Sequence, residues 1–241
     1  MMLTLLPAFA HSMVAPPSAM EALASLYPAA TYGDRRVAAR DAALSHAAAT
    51  QPAGGIPLAG DNLVYGEFDL SFFEQLLQLA EPQPGDHFID LGSGVGRIVL
   101  AAALLQPKLG LCQGIEILPE LHEQAVAARV SLDELAPSLP IAPCEYSAYD
   151  LYSEAATEAL SSADILFSYS VTWERDEQGR LTDLSRVLAE RLKPGARIIT
   201  VDVKLLNSVD KVNFVPMASL EGANEETGPA SVGHIFRLEN A

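Results

Sequence analysis

The period of the apolar positions changes several times along the chain, and each change marks an element. Phe72, Phe73, Leu76, Leu77 and Leu79 fall on one side of a helix that Asp69 or Ser71 can cap. Glu74 stands three residues beyond Ser71, as in a capping box, and Pro82 and Pro84 end the helix. Short continuous apolar runs at Phe88, Ile89 and Leu91, at 111–117 and at 163–169 predict strands buried on both faces. A weaker strand is expected at 141–149 and a fifth at 197–203, and 212–217 with 232–238 read as a closing antiparallel pair. Helical patterns fill 98–105, 119–135 with Pro119 in its first turn, 152–160 and 180–192. Strands alternating with helices and ending in a hairpin predict an α/β fold, a doubly wound, mostly parallel, Rossmann-like sheet of seven strands.

Upstream lie two helical patches, 21–27 and 34–49, the second starting at an Asp34 cap and rich in alanine. They are expected to form a helical lid or brace. Glycine and proline make 51–62 a loop. The expected division is therefore an arm and helical extension over 1–61 and the main domain over 62–241. Residues 1–20 carry Leu3, Leu5 and Leu6 but no basic segment, and Pro7, His11, Pro16 and Pro17 interrupt the apolar stretch. They read as an arm, neither secretory signal nor membrane span, with organelle targeting left open.

Gly92, Gly94 and Gly96 follow the 88–91 strand directly and precede a helix. Strand, glycine turn and helix together make a nucleotide site. The glycines let the backbone turn and approach a ligand, and the helix start offers unpaired N–H groups and a positive dipole end. A dinucleotide fingerprint needs G-x-G-x-x-G, but Arg97 stands where its third glycine belongs, which disfavours NAD and a dehydrogenase. Asp90 sits two residues before Gly92, and Ser93 lies within the turn. Glu116, followed by Ile117 at the end of the second strand, is placed to accept hydrogen bonds from both hydroxyls of a ribose.

Three further segments carry candidate chemistry. Val64-Tyr65-Gly66-Glu67 precedes the glycine strand, where a loop can fold over a ligand and offer Glu67 to an ammonium group; on local grounds Glu67 is equally an exposed turn residue. Asp150-Leu151 can meet an adenine, or Asp150 can cap the helix that follows. Ser168-Tyr169-Ser170-Val171-Thr172-Trp173 forms the carboxyl end of the fourth strand, where parallel sheets bind ligands. Tyr65, Tyr169 and Trp173 are candidate walls of an acceptor channel, and Ser170 and Thr172 candidate hydrogen-bond partners of a nucleophile. Trp173 also fits an ordinary packing role.

Composition narrows the partners. With 241 residues, 49% of them hydrophobic, the chain can bury a full core. Fifteen basic against 31 acidic residues give a net charge of −16, which repels phosphate backbones and argues against nucleic acid. That sign permits a basic acceptor, such as a lysine-bearing protein or a polyamine, although its commonest meaning is a solvated surface. Cys112 and Cys144 lie in apolar runs and predict two buried thiols in a reducing, cytoplasmic setting. No metal site is visible.

From about 62 to 238 the chain resembles the class I S-adenosylmethionine methyltransferases and, within them, the disruptor-of-telomeric-silencing type of histone lysine methyltransferase. The matching residues are Val64-Tyr65-Gly66-Glu67, the run from Asp90 to Gly96, Gly114-Ile115-Glu116, Asp150-Leu151 and Lys193-Pro194-Gly195. The resemblance implies an S-adenosylmethionine cofactor, with Glu67 closing over its methionine end, Asp90 to Gly96 cradling it, Glu116 holding the ribose, and Asp150 with Leu151 at the adenine. It implies methyl transfer to a protein lysine. One departure stands out, for the family's Asn-Asn-Phe at the end of the fourth strand is Tyr169-Ser170-Val171 here. The basic flanks that hold nucleosomes also have no counterpart. Lysine methyltransferases of mitochondrial carrier and ATP synthase subunits have a similar glycine motif and keep a non-histone acceptor open. A small-molecule N- or O-methyltransferase and a cofactor-binding module without turnover remain as alternatives.

Overall fold

A computed structural model describes residues 18–50, 63–169, 171–224 and 230–241. The chain opens with α1 (Ala19–Leu26), a short 3-10 turn and α2 (Tyr32–Thr50), then α3 (Leu70–Leu79). The alternating part follows as β1 (His87–Leu91), α4 (Arg97–Leu105), β2 (Leu111–Glu116), α5 (Pro119–Leu135), β3 (Cys144–Ala148), α6 (Ala156–Ser162) and β4 (Ile165–Ser168). It ends with β5 (Arg180–Leu181), α7 (Thr182–Arg191), β6 (Arg197–Val201), β7 (Lys204–Leu205), β8 (Ser208–Val209), β9 (Val212–Gly222) and β10 (Ser231–Asn240).

The main sheet has the order β3-β2-β1-β4-β6-β10-β9-β8. Its first five strands are parallel, and β10 runs antiparallel to both β6 and β9. The seven strands expected are therefore eight. The additional strand, β8, is a two-residue piece paired antiparallel to β9, too short to carry any periodic signal. A separate parallel pair, β5 with β7, also went unforeseen for the same reason.

Alternation along the buried strands divides the core between two faces. Phe88, Ile165, Phe167, Ile199 and Val201 pack with residues of α1 to α5 on one side. Ile89, Leu91, Leu166 and Ile198 pack with α6 and α7 on the other. Covered on both faces, the parallel strands have no polar side to show, which is why they read as unbroken apolar runs. Strand order reverses between β1 and β4, and parallel sheets bind ligands at the carboxyl ends beside such a reversal.

Local chemistry sets the element ends. Asp69 caps α3, its Oδ1 accepting from the Phe72 N–H at 2.8 Å, so of the two candidate caps Asp69 fills the position. Ser18 and Glu21 form a reciprocal capping box on α1. Residues 152–155 are not helical, in contrast to the expected 152–160 helix, because Asp150 Oδ1 accepts from the Tyr152 N–H at 2.9 Å and closes a turn; α6 begins only at Ala156. β6 stops at Val201 instead of running to 203, since Asp202 adopts a left-handed φ of 60°. The expected boundary at Asn62 lies outside the described residues.

Candidate functional site

Beyond the carboxyl ends of β1, β2 and β4 lies a cavity of about 360 Å³, within the range of small-molecule sites. Tyr65, Glu67, Asp90, Gly92, Ser93, Gly94, Glu116, Ile117, Asp150, Leu151, Tyr169 and Trp173 all line it, segments spread over more than a hundred residues of sequence. Gly96 and Ser168 are not among the lining residues. Gly96 instead serves packing, since a Cβ there would lie 2.8 Å from both Ala125 and the Tyr146 ring, and its φ of 79° opens α4. Ser168 is fully buried in β4, and its hydroxyl has no hydrogen-bond partner. Ser170 lies outside the described residues.

The floor of the cavity is the glycine turn, fastened to β2. The Gly92 and Ser93 N–H groups both donate to the Ile115 carbonyl, at 2.9 and 3.1 Å. Glu116 Oε2 accepts from the Gly94 N–H at 2.8 Å and Oε1 from the Leu118 N–H at 2.9 Å. A carboxylate has about four acceptor positions, so Glu116 can bind the turn and still face a ligand's hydroxyls. Burial pushes its pKa up, opposed by these backbone N–H bonds. Asp90 is only 4% exposed, and burial, with the Glu116 charge adding to it, pushes its pKa well above the ordinary carboxylate range.

The roof is the segment 63–69. A Cβ on Gly94 would come within 2.8 Å of the Tyr65 ring, so this turn admits only glycine against that tyrosine. The Tyr65 hydroxyl donates to Glu67 Oε1 at 2.8 Å, and the Arg35 Nε of α2 donates to the same oxygen at 2.6 Å. Arg97, at the start of α4, brings its Nε to 3.8 Å from Glu67 Oε2 and donates to the Phe68 carbonyl at 2.6 Å. Glu67 and Arg97 both line the cavity, a carboxylate and a guanidinium side by side.

The side wall is built by closure of the chain. The Tyr169 ring packs on Phe68 with centroids 5.2 Å apart, and its hydroxyl accepts from Asn224 Nδ2 at 3.0 Å. Asn224 Nδ2 also donates to Ser231 Oγ, which donates to Asp202 Oδ2 at 2.8 Å. The carboxylate can only accept, so it fixes the serine proton and hence the amide orientation. Trp173 lies against the turn, 3.6 Å from where a Gly92 Cβ would stand.

Sequence reasoning missed Tyr27, Arg35 and Asn224, and saw Arg97 only as a missing glycine. Tyr27 is 7% exposed and its hydroxyl donates to the Val95 carbonyl of the glycine turn at 2.9 Å. The helical extension therefore grips both floor and roof. Cys112 is buried and Cys144 half-buried, and both are free. No His, Cys, Asp or Glu cluster suited to a metal occurs among the described residues.

Comparison with known proteins agrees with this geometry. Residues 58–223 match the family described as "Histone methylation protein DOT1". A "Histone-lysine N-methyltransferase, H3 lysine-79 specific" of Eremothecium gossypii is 31% identical over 144 residues, covering 58% of this chain and 24% of that protein. The protein of the same description from Yarrowia lipolytica is 25% identical over 186 residues, covering 75% and 34%. The chain thus spans about a quarter to a third of the length of these curated relatives. Among solved structures, an RNA methyltransferase from Salinibacter ruber in complex with S-adenosyl-L-homocysteine superposes with a TM-score of 0.50 at 22% identity, covering 73% of this chain and 95% of that one. At that identity the likeness speaks for the fold alone. The family match covers well over half of the chain, from just before the roof segment to the end of β9, and the chain belongs to the histone methylation protein DOT1 family.

Proposed function

We propose that the protein is an S-adenosylmethionine-dependent methyltransferase that modifies a lysine amine of a protein. The observation that carries this reading is that one cavity is lined by both sets of groups a nucleoside-linked amino acid needs. Its lining includes buried Glu116 with the apolar Ile117 and Leu151, which fit a ribose and a purine, and also Glu67 with Arg97, which fit an ammonium and a carboxylate. A zwitterionic amino-acid end joined to a nucleoside is what that set of groups would hold. When bound, the cofactor supplies an electrophilic methyl group on a sulfonium.

The chain's residues position and exclude water; they need not exchange protons with the cofactor. Glu116 binds the turn and the hydroxyls, Glu67 and Arg97 orient the amino-acid end, and Tyr65, Tyr169 and Trp173 enclose the acceptor side. In that aromatic surround a lysine is desolvated toward its neutral amine, which is the form that can attack. Tyr65, Tyr169 and Trp173 would hold that neutral amine facing the methyl group, and the surplus proton of the methylated amine would leave to solvent.

A basic protein as acceptor suits the net charge of −16, and the curated relatives' descriptions name histone H3. A cytoplasmic setting is the reading that two free cysteines support. The test is transfer of labelled methyl groups from S-adenosylmethionine to nucleosomes, free histones and total cell protein, with the product mapped by mass spectrometry. The expected label is on lysine Nε. Cofactor binding without transfer to any acceptor would point to a module without turnover, and label on free amines alone to a small-molecule enzyme; either would overturn the reading.

A further inference from the structure

We propose that the N-terminal helices complete the methionine end of the cofactor site, with Arg35 as the residue that positions Glu67. This deepens the methyltransferase reading and rests on it. Arg35 does not line the cavity, so it acts through the carboxylate it holds.

The two oxygens of Glu67 are used differently. Oε1 accepts from both Arg35 Nε and the Tyr65 hydroxyl, at 2.6 and 2.8 Å, which occupies its acceptor positions. Oε2 has Arg97 Nε at 3.8 Å, beyond hydrogen-bond distance, and is left to face a ligand's ammonium. Arg35 is itself locked from the other side, its Nη1 donating to Thr31 Oγ1 at 2.6 Å and to the Pro28 carbonyl at 3.2 Å. The guanidinium lies over the Tyr27 ring at 6.0 Å, and that tyrosine's hydroxyl holds the glycine turn through Val95. One helical unit thus fixes the roof through Arg35 and the floor through Tyr27.

The physical need for such a brace follows from the spacing of charges. Glu67 and Arg97 already pair at 3.8 Å, so a ligand that offers an ammonium to one and a carboxylate to the other must compete with that pairing. Both are largely buried, with side chains 13% and 20% exposed, where attraction between them is weakly screened. A carboxylate not tethered by Arg35 would close from 3.8 Å to hydrogen-bond distance of Arg97, and each would then be less available to the ligand's opposite charge.

The test is calorimetric titration of the full chain and its Arg35→Gln variant with two ligands. S-adenosylhomocysteine carries the amino-acid end; 5′-methylthioadenosine keeps the purine, ribose and sulfur but lacks it. The variant is expected to lose at least about tenfold in affinity for the first and to keep its affinity for the second. Tyr65→Phe, which removes the other donor to Oε1 without touching the extension, is expected to show the same split. Unchanged S-adenosylhomocysteine affinity in Arg35→Gln, or an equal loss for both ligands, would overturn the role of Arg35 while leaving the methyltransferase reading in place. Failure of the unaltered chain to bind S-adenosylhomocysteine at all would overturn that reading, and this proposal with it.

Discussion

The glycine turn after β1 and the wall after β4 border one cavity, yet they are held in opposite ways. The turn is fastened to one neighbouring strand, β2, through the Ile115 carbonyl, with the Glu116 side chain as the clasp. The wall depends on a chain of side-chain hydrogen bonds, from Asp202 through Ser231 and Asn224 to Tyr169, that joins three distant segments. The difference teaches which part of the site can vary. A floor made from main-chain bonds admits few substitutions, whereas a wall made from side chains can change its residues, and with them its acceptor, over an unchanged cofactor cradle.

The largest effect should come from breaking the clasp. Glu116→Ala leaves the buried Gly94 and Leu118 N–H groups without acceptors, at a cost of about 1–3 kcal/mol in stability. Calorimetry should show S-adenosylhomocysteine affinity reduced by more than about a hundredfold, equivalent to roughly 3 kcal/mol. An undiminished affinity would mean that the floor is not the cofactor cradle.

Asn224→Leu separates the wall from the floor. It removes the donor to Tyr169 while keeping side-chain size, so the methyl-transfer rate is expected to drop about tenfold while S-adenosylhomocysteine affinity holds. A variant that loses cofactor affinity instead would erase the contrast between the two regions.

A smaller effect tests the strain in the floor. Burial raises the Asp90 pKa above its unfolded value, so the folded chain holds that proton more tightly than the unfolded one. This contribution to stability is present below about pH 3.9 and falls as pH rises from there through the folded value. Glu116, also raised, adds with the same sign, while Asp164, lowered chiefly by its bonds to Lys193 and the His87 N–H against the opposing cost of burial, contributes above its unfolded pKa and is lost in acid. Asp90→Asn should therefore raise the ligand-free stability near neutral pH, seen as a higher melting temperature than the parent's. Melting curves across pH should be flatter for the variant than for the parent above about pH 4; a parent curve no steeper than the variant's would remove the strain argument.

How far the site was legible follows the same division. Asp90, the glycines and Glu116 could be read because each lies at the end of a buried strand, where period and position coincide. Gly96 and Ser168 were read with them for that reason, although the structure gives one to helix packing and buries the other within the sheet. Arg35 left no sequence signal: Asp34-Arg35-Arg36 has the composition of an exposed helix face, and its partner is 32 residues away. Asn224 was equally hidden, 55 residues from Tyr169. The short strands β5, β7 and β8 are two residues each and exist only through their partners, so no local pattern announces them.

The central claim is that this glycine turn is built for S-adenosylmethionine and not for a dinucleotide. Calorimetric titration of the unaltered chain with S-adenosylmethionine and, separately, with NAD tests it most directly. The account predicts saturable binding of S-adenosylmethionine and none of NAD. Binding of NAD, or no binding of S-adenosylmethionine, would contradict it.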